Sequence, residues 1–166
     1  GTLEREAGRV WVLKGSNFAP VVAFVNTADN NTKLIGSPNS FFGGAVKGIA
    51  DMVGIPSGVP DLLVGARDEF NSPYTPPECS IQQGGRLSGS AYIVNGSDGT
   101  MPYKLIGERS KDHVGFDVAA RDQDGDGLMD LVTAGMAWTN PDDEQVPCNN
   151  KVEVGRLYIY PAAALP

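Results

Sequence analysis

The stretch Val114-Gly115-Phe116-Asp117-Val118-Ala119-Ala120-Arg121 runs into Asp122-Gln123-Asp124-Gly125-Asp126-Gly127-Leu128-Met129-Asp130, which runs into Leu131-Val132-Thr133-Ala134. The two flanks are short, apolar and bounded by Gly or Asp, so they read as strands. The middle places carboxylates at loop positions 1, 3, 5 and 9. Alternate residues of a tight loop can turn inward on one ion, and Gly125 and Gly127 permit the backbone angles that wrap it. Calcium is a hard cation that takes about six to eight oxygens at about 2.3–2.6 Å. The expected ligands are therefore the side chains of Asp122, Asp124, Asp126 and Asp130 and the carbonyl of Leu128. Magnesium demands a tighter octahedron and keeps its waters, so it fits less well. An EF-hand begins in the same way but needs a bidentate Glu at position 12, which here is Thr133, and helices on both sides. A strand follows instead, so the site is a loop between strands.

Working outward, the chain repeats itself. Lys33-Leu34-Ile35-Gly36 returns as Lys104-Leu105-Ile106-Gly107, and Asp61-Leu62-Leu63-Val64-Gly65-Ala66 returns loosely as Asp130-Leu131-Val132-Thr133-Ala134-Gly135. A third pattern occurs at Gly8-Arg9-Val10-Trp11-Val12, at Gly89-Ser90-Ala91-Tyr92-Ile93-Val94 and at Gly155-Arg156-Leu157-Tyr158-Ile159-Tyr160. The period is about 70 residues. Strands are expected near Gly44–Ala50, Asp61–Ala66, Gly89–Val94 and Tyr103–Ile106, then Gly115–Arg121, Asp130–Ala134 and Gly155–Tyr160. Gly8–Leu13 adds one more, and the stretch from Pro20 to Ile35 has room for another. The connections Arg67–Arg86 and Gly135–Val154 are rich in Pro, Asn and acidic residues and read as surface loops. The segment equivalent to the metal loop, Asp51–Asp61, has Asp only at its ends, and we expect no ion of comparable strength there.

These residues resemble a known family. Phe42-Gly43-Gly44-Ala45-Val46 followed by Asp61–Ala66 looks like an FG-GAP repeat, the blade unit of the integrin α-subunit head. Val114–Ala119, Asp122–Asp130 and Leu131–Ala134 look like a second copy that kept its calcium loop. The second copy reads Val-Gly for Phe-Gly, and Ala134-Gly135-Met136 stands where the family has Gly-Ala-Pro. The resemblance implies an all-β fold of four-stranded antiparallel blades arranged as a β-propeller. The chain supplies about two and a third repeats: a partial blade at 1–36, a full blade at 37–107 and a partial blade with the calcium loop at 108–166 of a single repeat domain. A propeller needs at least four blades. The expectation is therefore a piece of a larger polypeptide, a protomer completed by further copies of itself into a closed propeller or filament, or an open stack of sheets, with the first two preferred.

Composition narrows the function. The chain has 166 residues, 21 Gly, 12 Pro and a formal net charge of −7. That acidity argues against nucleic acid or an anionic membrane as partner, and no apolar run approaches a membrane span. His113 is the only histidine, and no nucleophile elbow, zinc-protease motif or P-loop is present. No catalytic or organic cofactor site is expected. A general base at His113, beside Asp112, is weighed against an ordinary histidine in a turn, which we prefer. The acidic run Asp142-Asp143-Glu144 is read as a solvated loop, and Trp11, Tyr92, Tyr158 and Tyr160 as packing between blades. Trp138 and Tyr74 lie in loops better suited to a ligand. Cys79 and Cys148 each follow a loop-ending Asp by 18 residues, and we expect them in a disulfide, within the chain or between chains. Asn30-Asn31-Thr32 and Asn95-Gly96-Ser97 match the glycosylation acceptor pattern. The function expected is a secreted or cell-surface, calcium-stabilised segment for adhesion, assembly or binding of a protein or glycan ligand. The alternatives are the non-catalytic propeller of a larger extracellular hydrolase or lyase, and a structural protomer of an extracellular filament.

Overall fold

The computed structural model describes residues 7–21, 24–26, 31–32, 34–53, 56–71, 87–108, 111–137 and 155–161. No helix occurs among the described residues, and the strands form three antiparallel sheets. A small hairpin pairs β1 (Val25–Asn26) with β2 (Asn31–Thr32). The first large sheet orders β3 (Phe42–Ile49), β4 (Asp61–Ala66), β5 (Ser90–Val94) and β6 (Tyr103–Ile106) as neighbours in chain order. The second orders β7 (Val114–Arg121), β8 (Asp130–Gly135) and β9 (Arg156–Tyr160). Each is a meander, which suits strands joined by turns rather than by crossover helices.

The two sheets repeat each other in register. Ile49 pairs with Asp61 and Phe42 with Ala66 in the first, and Arg121 with Asp130 and Val114 with Gly135 in the second. Both first strands are bulged at the same place, between Phe42 and Ala45 and between Val114 and Asp117. Gly43 and Gly115 supply the positive φ inside those bulges. Strand β4 is buried along nearly its whole length, because both of its faces are covered. Val64, Ala66, Val94 and Phe42 pack on one side against Val10, Phe24 and Leu34. Leu63, Ala91 and Ile93 pack on the other side against Val118 and Leu131 of the second sheet.

Backbone contact sets the distance between the sheets. Val114 N–H donates to Ser88 O at 2.9 Å, and Phe42 N–H donates to Ala7 O at 3.1 Å in the equivalent junction with the N-terminal segment. A Cβ placed on Gly65 would lie 2.1 Å from the Gly115 carbonyl oxygen, and one on Gly115 would lie 2.0 Å from the Ser90 carbonyl oxygen. No side chain fits there, which explains the Phe-Gly and Val-Gly dipeptides and the Gly of Val64-Gly65-Ala66. A buried polar clasp adds to the junction with the N-terminal segment. The Glu69 carboxylate accepts from Tyr92 Oη at 2.6 Å and Ser37 Oγ at 2.9 Å, and Lys104 Nζ lies 3.2 Å away. Burial, then the hydrogen bond and charge of Glu69, hold the Tyr92 phenol well above its ordinary range.

The observed strands lie within two or three residues of those expected, with one difference. Gly8–Leu13 forms two isolated bridges to different partners, Arg9 opposite Ile35 and Leu13 opposite Pro20. Lys14 N–H donates to Ala19 O at 2.8 Å and turns the chain back early. Pro20 then has no N–H with which to extend a ladder. The short β1–β2 hairpin falls in the Pro20–Ile35 stretch left open for a strand.

Gly65→Ala forces the sheets apart and is expected to destabilise the protein by about 1–3 kcal/mol, the usual cost of overpacking. Gly48→Ala, where a Cβ would meet nothing within 4 Å, serves as the control. Urea unfolding in calcium-containing buffer checks both, and equal midpoints would refute the junction as described.

Candidate functional site

The loop after β7 begins at Asp122 and ends at Asp130, the first residue of β8. Its shape comes from aspartate side chains folding back on the backbone, the habit that makes Asp a turn residue. Asp122 Oδ1 accepts from Gly125 N–H at 2.6 Å and its Oδ2 from Gly127 N–H at 3.0 Å. Asp124 Oδ1 accepts from Asp126 N–H at 3.1 Å, and Asp126 Oδ1 from Leu128 N–H at 2.7 Å. Gly125 and Gly127 both have positive φ, at 84° and 87°, and nothing crowds either.

Asp122, Asp124 and Asp130 converge, each offering a carboxylate oxygen, with all three oxygens within 4.8 Å of one another. An ion bound at about 2.3–2.6 Å reaches oxygens up to about 5 Å apart on opposite sides of itself, so this spacing suits calcium. The donors are hard oxygens, which fits the same ion and excludes a preference for soft metals. Asp130 is 1% exposed, whereas Asp124 is open to solvent. Such a gradient would give a bound ion one fixed wall and one open entrance. Asp126 is not part of the convergent group, and its described contact is the Leu128 N–H. Three of the four expected carboxylates thus come together.

The loop of the first sheet is closed by hydrogen bonds from backbone donors. Asp61 is the counterpart of Asp130 and is 0% exposed. Its Oδ2 accepts from Met52 N–H at 2.7 Å and Val53 N–H at 2.9 Å, and its Oδ1 from Gly96 N–H at 2.8 Å. Asp51 Oδ2 accepts from Ser57 N–H at 2.7 Å and Gly58 N–H at 2.6 Å. Sequence reasoning identified the missing acids here but not the donor from Gly96, which arrives from a distant turn. The shared signal was an Asp at the head of each second strand.

The other candidates fall as follows. His113 Nδ1 lies 2.7 Å from Asp68 Oδ1, not against Asp112. Asp112 is buried and accepts from Tyr158 Oη at 3.4 Å. Tyr92 meets Phe42 edge-on at 5.5 Å, and Tyr160 packs with the core between the large sheets, while Trp11 is exposed. Asn95 is buried: its Nδ2 donates to Val53 O at 3.2 Å, and its Oδ1 accepts from Ser97 Oγ at 2.6 Å. That asparagine works as a structural side chain, and a glycan on it would break the Val53 bond. Asn30, Tyr74, Trp138, Asp142-Asp143-Glu144, Cys79 and Cys148 lie outside the described residues.

No family model matches the chain. Among curated proteins it is 34% identical over 79 residues, 48% of its own length, to integrin alpha-PS2 of Drosophila melanogaster. The match spans 5% of that much longer protein. The likeness is distant and partial.

Asp61→Ala leaves three backbone N–H groups without their acceptor and is expected to cost on the order of 3 kcal/mol, since hydrogen bonds to charged groups are the strong ones. Chemical denaturation measures it. A change near zero would show that the buried carboxylate does not hold the hairpin.

Proposed function

We propose that the chain is a calcium-stabilised β-propeller segment of a cell-surface or secreted adhesion-type protein. The observation that carries this reading is the convergence of Asp122, Asp124 and Asp130 at the tip of a hairpin. Asp126 and the Leu128 carbonyl complete the ligand set. The partial likeness to an integrin α chain supports the adhesion role and the extracellular setting. Calcium is abundant outside cells, where sites of modest affinity still fill. The ion neutralises carboxylates that would otherwise repel at close range, and it closes the loop between β7 and β8.

In this reading each large sheet is a blade, and the outer face of the second awaits a neighbour. Leu157 and Ile159 are 60% and 51% exposed there, whereas their counterparts Ala91 and Ile93 in the first sheet are buried against the second. Soluble proteins seldom leave such apolar faces in water. The neighbour is a further blade of the same polypeptide or of another copy, and the surface so assembled binds a protein or glycan ligand.

Calorimetric titration of the calcium-free chain should give one strong calcium site per chain, abolished by Asp122→Asn. Two equal sites, or heat unchanged by that substitution, would contradict the assignment.

A further inference from the structure

We propose that calcium orders the hairpin tip of the second sheet and not that of the first, because the first tip carries a hydrogen-bonded substitute for the ion. This inference rests on the calcium reading above and concerns how that site is regulated. The two hairpins are equivalent in register, with Ile49 opposite Asp61 and Arg121 opposite Asp130. Their ends are closed by different chemistry.

In the first hairpin, protein donors take up both carboxylates. Asp51 is held by Ser57 and Gly58, and Asp61 by Met52, Val53 and Gly96. The donor from Gly96 is brought by the turn after β5, which presses close: a Cβ on Gly96 would lie 2.0 Å from the Pro60 carbonyl oxygen. Asn95 ties the same turn to Val53 O at 3.2 Å. Three parts of the sheet are thereby locked around one buried carboxylate, with no cation required. The sequence between Asp51 and Asp61 contains no further acid, so no cluster of like charge needs neutralising.

The second hairpin is built the other way. Four carboxylates lie between 122 and 130 with no basic residue among them, and three of them bring oxygens within 4.8 Å of one another. The described hydrogen bonds of Asp122, Asp124 and Asp126 are to the loop's own backbone. Leu128 and Met129 stand exposed and add no packing to hold the tip. Removing the cation leaves repulsion, a few local turns and one bond across the loop, from Gln123 N–H to Asp130 Oδ2 at 2.8 Å. The strand ends beside this loop carry Ala120 and Leu131, which pack in the core shared with Ile49, Val53 and Leu63. Those strand ends are held by the core, so calcium concentration sets the order of the 122–130 tip of the second hairpin, while the tip of the first stays closed.

Hydrogen exchange read by mass spectrometry on the full chain, with calcium and after chelation, tests this. When free calcium stands about 100 times above its dissociation constant, exchange at residues 122–130 should slow by up to about 100-fold. Residues 51–61 should change by less than about twofold, since bound ligand protects only what it stabilises. In Asp124→Asn/Asp126→Asn, which leaves the buried Asp130 intact, exchange at 122–130 should lose its response to calcium. Parallel calorimetry separates the two layers of the account. No binding heat from the unaltered chain overturns the calcium site and this inference together. Binding heat with equal protection of both hairpins, or with none at 122–130, leaves the site standing and overturns the inference.

Discussion

An aspartate at the head of the second strand is buried in both large sheets, and a buried carboxylate must be matched by donors or by a cation. Asp61 is matched by three backbone N–H groups, two from its own hairpin and one from the turn after β5. Asp130 accepts Gln123 N–H at 2.8 Å in the same way that Asp61 accepts Met52 N–H, and then turns toward Asp122 and Asp124. The rest of each hairpin is arranged around that choice. Where backbone donors close it, the loop is two residues longer and nearly free of acids; where carboxylates converge, the loop is short, glycine-punctuated and strongly negative.

The same economy governs how the sheets meet. Gly115 sits in a bulge with positive φ and lies against the Ser90 carbonyl, and Gly65 lies against the Gly115 carbonyl. Main chain approaches main chain, so the apolar side chains on either side interlock without a gap and bury Leu63, Ile93 and Leu131 completely. The Asp122–Asp130 loop projects from the hairpin end of a strand pair already fixed by this contact. That gives three aspartates a rigid base from which to converge.

Much of this was legible in the sequence. The strand–loop–strand reading of 114–134 followed from alternating Asp and Gly between two short apolar runs, and the repeat located every long strand to within a few residues. What escaped were features that depend on distant partners. Nothing near Asp61 announces that Gly96 will donate to it, because the two meet only when β5 and its turn pack beside β4. The break of the Gly8–Leu13 strand arises from a turn at 15–17 and a proline whose effect depends on which residue it faces. Asp126 illustrates a third limit. Spacing placed four carboxylates around one point, yet local bonding to Leu128 N–H competes for the fourth.

In the proposed reading the Asp122–Asp130 loop encloses one calcium ion. A crystal structure grown with calcium, with the ion located by its anomalous signal, tests it most directly. One ion per chain is expected at about 2.3–2.6 Å from oxygens of Asp122, Asp124 and Asp130, joined by Asp126 and the Leu128 carbonyl, and none between Asp51 and Asp61. A well-ordered 122–130 loop with no ion and its carboxylates turned apart would contradict it.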